Sequence, residues 1–148
     1  MEHVKLSAFA DVCLRIMMLL GSRRDEQITT RDIAEKIGVP YNHVAKAVLE
    51  LRNREAIEVS RGRYGGSQIT AHGLQLTVGS LMRELDTRDD VVDCVSEAGV
   101  PCPLIGACKL RSALRRAREA FYAELDTLRV EDLTSASSAR LLPFPILR

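Results

Sequence analysis

Apolar residues in the first part of the chain recur every third or fourth position. Leu6, Phe9, Cys13, Ile16, Met17 and Leu20 form one stripe of a helix that Ser7 can cap and Gly21 ends, just before the polar run SRRDEQ. Cys13 lies within that stripe and reads as a core residue. The next segment, ITTRDIAEKIGVPYNHVAKAVLELRNREAIEV, holds two more periodic stretches. Thr29 and Asp32 have capping-box spacing, with Asp in place of the usual Glu, and open a short helix over 29–37. Gly38 breaks it, and Pro40 sits near the first position of a second helix over 41–54. Ile33, Ala34, Ile37, Val39, Val44, Ala47, Val48 and Leu51 supply the apolar face. Ala34, Gly38 and Val44 have the pattern of a helix-turn-helix: a small residue where two helices touch, a glycine in the turn, then a β-branched residue.

The period then changes. Ile57, Val59 and Ile69 alternate around SRGRYGGSQIT, a glycine-rich tip with Arg61 and Arg63, which predicts a two-stranded wing. A helix-turn-helix followed at once by a basic hairpin is a winged helix. Residues 71–86 predict one more helix, with Leu74, Val78, Leu81, Met82 and Leu85 on its stripe. A long helix over 107–127 follows, with Leu110, Leu114, Ala117, Phe121 and Leu125 at three-and-four spacing. So long a helix at the end of a small domain is expected to pair with a second copy. The predicted fold class is therefore mainly α: a winged helix-turn-helix with a small two-stranded wing and a long C-terminal dimerisation helix. Residues 1–133 would form one domain, with a DNA-binding part over 1–80 and an irregular loop at 93–108. Two prolines and a small-polar run predict a loosely ordered tail over 134–148.

Composition narrows the class. The 148 residues are 28% charged and 46% hydrophobic with a net charge of +1, as in an ordinary globular protein whose local basic face can hide in a balanced total. The apolar run near the N-terminus is interrupted by acids and an arginine, unlike a secretory signal, and no stretch is apolar enough for a membrane span. A cytoplasmic protein is expected. There four cysteines point to metal or redox chemistry before disulfides.

Three of the four fall in CVSEAGVPCPLIGAC, with the spacing C-x7-C-x5-C at Cys94, Cys102 and Cys108. A loop can wrap thiolates around a metal or cluster where a regular helix could not. Gly99 and Gly106 allow backbone amides to approach sulfide, while Pro101 and Pro103 stiffen the frame. Structural zinc favours paired C-x2–4-C ligands, and neither gap fits; no histidine follows Cys108. Three wide-spaced thiolates suit an iron–sulfur cluster completed by a fourth ligand from elsewhere. Cys13, Asp11, Asp93, Glu97 and His3 are the candidates. Asp11 and Cys13 are two apart on a helix and so point roughly 200° apart. For Asp11 the plainer role is an acid complementing the helix dipole in the first turn.

The order of first helix, winged helix, cysteine loop and long terminal helix resembles the winged-helix iron–sulfur regulators, over residues 4–133. GVPYNHVAKAV, RGRYGG, the VVDC start of the loop and VPCPLIGAC are most similar to the nitric-oxide-sensing transcriptional repressors of that family. The resemblance implies a homodimer with one 4Fe–4S cluster per subunit, held by Cys94, Cys102 and Cys108. The fourth ligand would be an aspartate early in the first helix of the other subunit, a position that falls on Asp11 in KLSAFADVCLR. Nitric oxide would be the signal that releases DNA. Branches using a histidine after the third cysteine, or an N-terminal Glu and His around a 2Fe–2S cluster, fit less well, because Arg111 and Arg15 stand at those positions. A 2Fe–2S or zinc/thiol redox site on the same winged helix is the alternative. The first cysteine gap is wider than the family's common five, and Tyr64 stands where a wing glycine is usual.

The DNA contacts follow from the fold motif. Helix 41–54 would enter the major groove of an operator duplex with Tyr41, Asn42, His43 and Lys46 near its leading end. Arg61 and Arg63 on the wing would reach the minor groove or phosphates, and Arg31 a phosphate beside the first helix of the motif. Nothing in the sequence resembles a catalytic constellation, so no enzyme is expected.

Overall fold

The computed structural model describes residues 6–87 and 91–134. Helix α1 (Ala8–Ser22) begins where Ser7 Oγ accepts from the Ala10 N–H, satisfying one of the first-turn donors. Its inward stripe, Cys13, Ile16, Met17 and Leu20, is almost fully buried. Helix α2 (Thr30–Ile37) is capped by Thr29, whose hydroxyl accepts from the Asp32 N–H and donates to the Asp32 carboxylate at 2.7 Å. It ends at Gly38, whose φ of +67° is the left-handed geometry that a side chain resists. Helix α3 (Tyr41–Asn53) follows and buries Val44, Ala47, Val48 and Leu51 against α1 and α2. The helix ends in a Schellman motif, with the Ala56 N–H on Leu51 O and the Glu55 N–H on Arg52 O; Glu55 takes φ +57° there.

Strands β1 (Ile57–Ser60) and β2 (Gly66–Ile69) pair antiparallel, from Ile57 opposite Ile69 to Ser60 opposite Gly66. Ile57 and Ile69 face the core, whereas Val59 is exposed. The wing does not stand free. Ile28, just before α2, bridges to Ser67 through both backbone hydrogen bonds, at 2.8 and 3.0 Å. A Cβ on Gly66 would come within 2.8 Å of the Ile28 backbone, so this register requires a glycine.

The helix predicted over 71–86 is two helices, α4 (Ala71–Gln75) and α5 (Val78–Leu85). The break at Leu76–Thr77 has a tertiary cause. The Val78 N–H donates to Leu128 O and Leu76 O accepts from the Val130 N–H, so the chain is extended there and pairs with a distant segment. Thr77 then caps α5 through the Ser80 N–H. The long helix α6 (Lys109–Leu125) lies within the expected 107–127, but its only buried residue is Tyr122. A short α7 (Val130–Leu133), absent from the sequence reading, packs on α1 with Val130 fully buried. The expected tail begins at Thr134, and 135–148 lie outside the described residues, as does His3.

A polar joint ties α6 to α5. Arg83 bridges Glu119 at 2.9 Å and Asp126 at 2.8 Å, and its guanidinium lies over the Tyr122 ring. Thr77 donates to Asp126, and the Tyr122 hydroxyl donates to Asp86 at 2.6 Å. The Arg83 and Thr77 hydrogen bonds hold the Asp126 carboxyl below its ordinary range, and Asp126 with Glu119 raises the Arg83 value.

Candidate functional site

Two surfaces carry the residues singled out above. On the first, α3 presents Tyr41, Asn42, His43 and Lys46 to solvent while Val44, Ala47 and Val48 anchor the opposite face. A helix needs such a division to keep hold of its own core while its outer side enters a groove. Arg31 is exposed on α2, and it lines with Tyr41 an open groove of about 560 Å³ beside the helix-turn-helix corner. The turn at Gly38 brings these two residues together. Arg61 and Arg63 are exposed on the wing tip. The stem is clamped to the chain entering α2: Gln68 Nε2 donates to Arg24 O at 2.7 Å, and Gln27 Nε2 to Ser60 Oγ at 3.3 Å. The wing is thus held in a set pose beside the helix-turn-helix.

The second surface is the cysteine loop between α5 and α6. None of the four cysteines is in a disulfide. Cys13 is buried in the core, as its place on the stripe predicts, and burial above all, with Glu50 nearby, pushes its thiol up to about 12. Cys94, Cys102 and Cys108 are half-buried. The wide first gap is taken up by a hairpin: Val95 bridges Pro101, Ser96 O accepts from the Gly99 N–H, and Cys94 O accepts from the Cys102 N–H at 2.8 Å. That pairing sets the first two cysteines across from one another. Cys108 is the N-cap of α6, its Sγ accepting from the Arg111 N–H at 3.3 Å. An open cavity of about 560 Å³ adjoins Cys108, lined also by Lys109, Arg111, Arg115 and Arg116.

Asp11 is in the first turn of α1, half-exposed and ion-paired with Arg15 at 3.0 Å. Among the described residues no three His, Cys, Asp or Glu side chains close around a metal-sized point within one chain. The donor chemistry nonetheless suits iron. Soft sulfur ligands share one irregular segment, a backbone N–H already points at one of the sulfurs, and basic side chains line the cavity beside Cys108. Two features escaped sequence reasoning. The cap role of Cys108 could have been read from its place just before the periodic run, whereas the Cys94–Cys102 pairing had no local signal beyond Gly99.

These surfaces define a winged-helix DNA-binding regulator with a cysteine-bearing loop ahead of its last long helix. The chain belongs to the Rrf2 family of iron-dependent transcriptional regulators, whose pattern it matches over residues 6–136, and it is a regulator rather than an enzyme. It is 48% identical over 141 residues to the HTH-type transcriptional repressor NsrR of Streptomyces coelicolor, covering 94% of each chain. It is 33% identical over 131 residues to the regulator NsrR of Geobacillus kaustophilus, covering 88% of this chain and 89% of that one. Among solved structures it is similar in fold to CymR, the global cysteine regulator of B. subtilis (TM-score 0.67, 24% identity, 90% and 98% of the two chains). T. potens IscR is also similar in fold (TM-score 0.69, 16% identity, 94% and 92%). Among the described residues no helix is long and apolar enough to cross a membrane.

Proposed function

We propose that this chain is a cytoplasmic, homodimeric repressor that binds an operator duplex and releases it in response to nitric oxide. Cys94, Cys102 and Cys108 would hold a 4Fe–4S cluster in each subunit, with Asp11 of the partner subunit as fourth ligand. The observation that carries the reading is the three-thiol segment itself: a hairpin that pairs Cys94 with Cys102, then Cys108 at the head of the helix expected to meet the second copy. The 48% identity to an NsrR repressor over nearly the whole chain supports it. When bound, such a cluster supplies iron that reacts directly with nitric oxide.

The chain's own residues do the rest. Carboxylate is a harder and weaker partner for iron than thiolate, so Asp11 would be the more weakly held of the four ligands. Because it would come from the other subunit, Asp11 would tie the cysteine loop of one chain to the DNA-binding head of its partner. Tyr41, Asn42, His43 and Lys46 would read the major groove, with Arg31, Arg61 and Arg63 fixing register on the backbone and minor groove. A coupling of about 3 kcal/mol between the two sites would lower operator affinity roughly a hundredfold.

Native mass spectrometry of protein prepared without oxygen tests this. The expected result is a dimer with a four-iron, four-sulfide mass on each subunit, converted by nitric oxide to nitrosylated species. A zinc mass, or bare thiols indifferent to nitric oxide, would overturn it. An Asp11→Ala protein that kept both the cluster and an unaltered nitric-oxide response would remove Asp11 from the account.

A further inference from the structure

The wing tip carries a side chain with no role so far. Tyr64 is 85% exposed, the most exposed large apolar side chain among the described residues. It sits between Arg63 and Gly65 in a short turn closed by the Gly65 N–H on Gly62 O at 3.0 Å. The Arg63 guanidinium carbon lies 5.7 Å from its ring centroid, within cation–π range. Below the turn, the Ile28–Ser67 bridge and the Gln68 and Gln27 hydrogen bonds hold the stem. A large ring at the end of a clamped, basic hairpin has much apolar area still to lose to a partner.

We propose that Tyr64 is a DNA-contacting residue: its ring packs on deoxyribose in the minor groove flanking the site read by α3, and it pre-sets Arg63 for the same groove. This rests on the DNA-binding reading of the wing. The chemistry favours duplex DNA over a protein partner because Arg61 and Arg63 flank the ring with positive charge and no acid lies in the tip, residues 61–65. Minor-groove walls are sugar faces, which are apolar enough to cover an aromatic ring, beneath a strong negative potential that draws guanidinium groups. An arginine already stacked on an aromatic loses less freedom when it enters that groove.

The test uses full-length protein prepared without oxygen and the duplex that this wild-type protein selects from a random pool. Affinity is read by fluorescence anisotropy, minor-groove contact by hydroxyl-radical footprinting, and major-groove contact by guanine-N7 methylation interference. Tyr64→Phe should bind like wild type. Tyr64→Ala should bind roughly tenfold more weakly, the size expected for burying part of one ring. It should also lose sugar protection at the flanks while N7 interference stays. Tyr64→Ala and Arg63→Ala should combine less than additively, because each removes half of one stack. Unchanged affinity and unchanged flank protection in Tyr64→Ala would overturn the inference while leaving the repressor reading intact. A wild-type protein that selects no duplex would overturn both.

Discussion

The head and the arm of this molecule are built to different standards. In the head, α1, α2, α3 and the wing enclose a core in which Ile16, Leu20, Ile33, Val44 and Leu51 have no exposed surface. Among the described residues of the cysteine loop and α6, Tyr122 is the one buried residue. Leu104 is 70% exposed, Leu110 62% and Phe121 48%. Leu110 and Phe121 are apolar residues left outside on one helix, which suits a surface that a partner covers, whereas the head encloses a core of its own. The proposed dimer would cover that arm.

Thiol reactivity should break the comparison open most widely. Under native conditions with the protein reduced and metal-free, iodoacetamide should modify Cys94, Cys102 and Cys108. Cys13 should stay unmodified until the chain unfolds, because it is buried and its thiol is held at about 12. Peptide mass mapping reads this, and early alkylation of Cys13 would mean that the head opens easily.

Stability comes next. Leu51→Ala should cost about 3 kcal/mol in urea unfolding, the usual figure for a cavity at a fully buried leucine. Leu104→Ala, on the loop, should cost less than about 0.5 kcal/mol. Equal costs would erase the distinction between the two regions. In sedimentation velocity, Leu110→Lys with Phe121→Lys should raise the dimer dissociation constant at least about tenfold. The head's unfolding should be unaffected by the same pair, and a variant that stayed as dimeric as wild type would move the interface off this face.

The smallest effect belongs to the head's one backbone compromise. Glu55 holds φ +57° at the end of α3, where glycine is at ease, so Glu55→Gly should stabilise by about 0.5–1 kcal/mol in thermal unfolding. A loss instead would show that the Glu55 side chain matters more than its strained backbone.

Much of the head was legible from local chemistry. Ser7, Thr29 and Gly38 act within a few residues of themselves, so their cap roles could be read directly, and the three-and-four spacing located α1 to α3. The cysteine loop was legible as a set of ligand types but not as a shape: nothing near Cys94 announces that its carbonyl will receive the Cys102 N–H. Likewise Tyr64 was visible only as an unusual wing residue, and its stacking with Arg63 emerged from the fold.

What the chain determines alone is whatever depends on neighbours in sequence: which stretches turn helical, where the wing reverses, and which residue types stand ready for DNA and iron. What only tertiary structure decided depends on segments far apart in the chain. The helix expected over 71–86 breaks because Leu76 and Val78 are claimed by Val130 and Leu128, some fifty residues on. Helix α7 is held in place because Val130 finds a site against α1. The wing is steady because Ile28 lies beside Ser67. A backbone hydrogen bond or a buried side chain takes the partner that the assembled fold supplies, and periodicity along the chain carries no record of that partner.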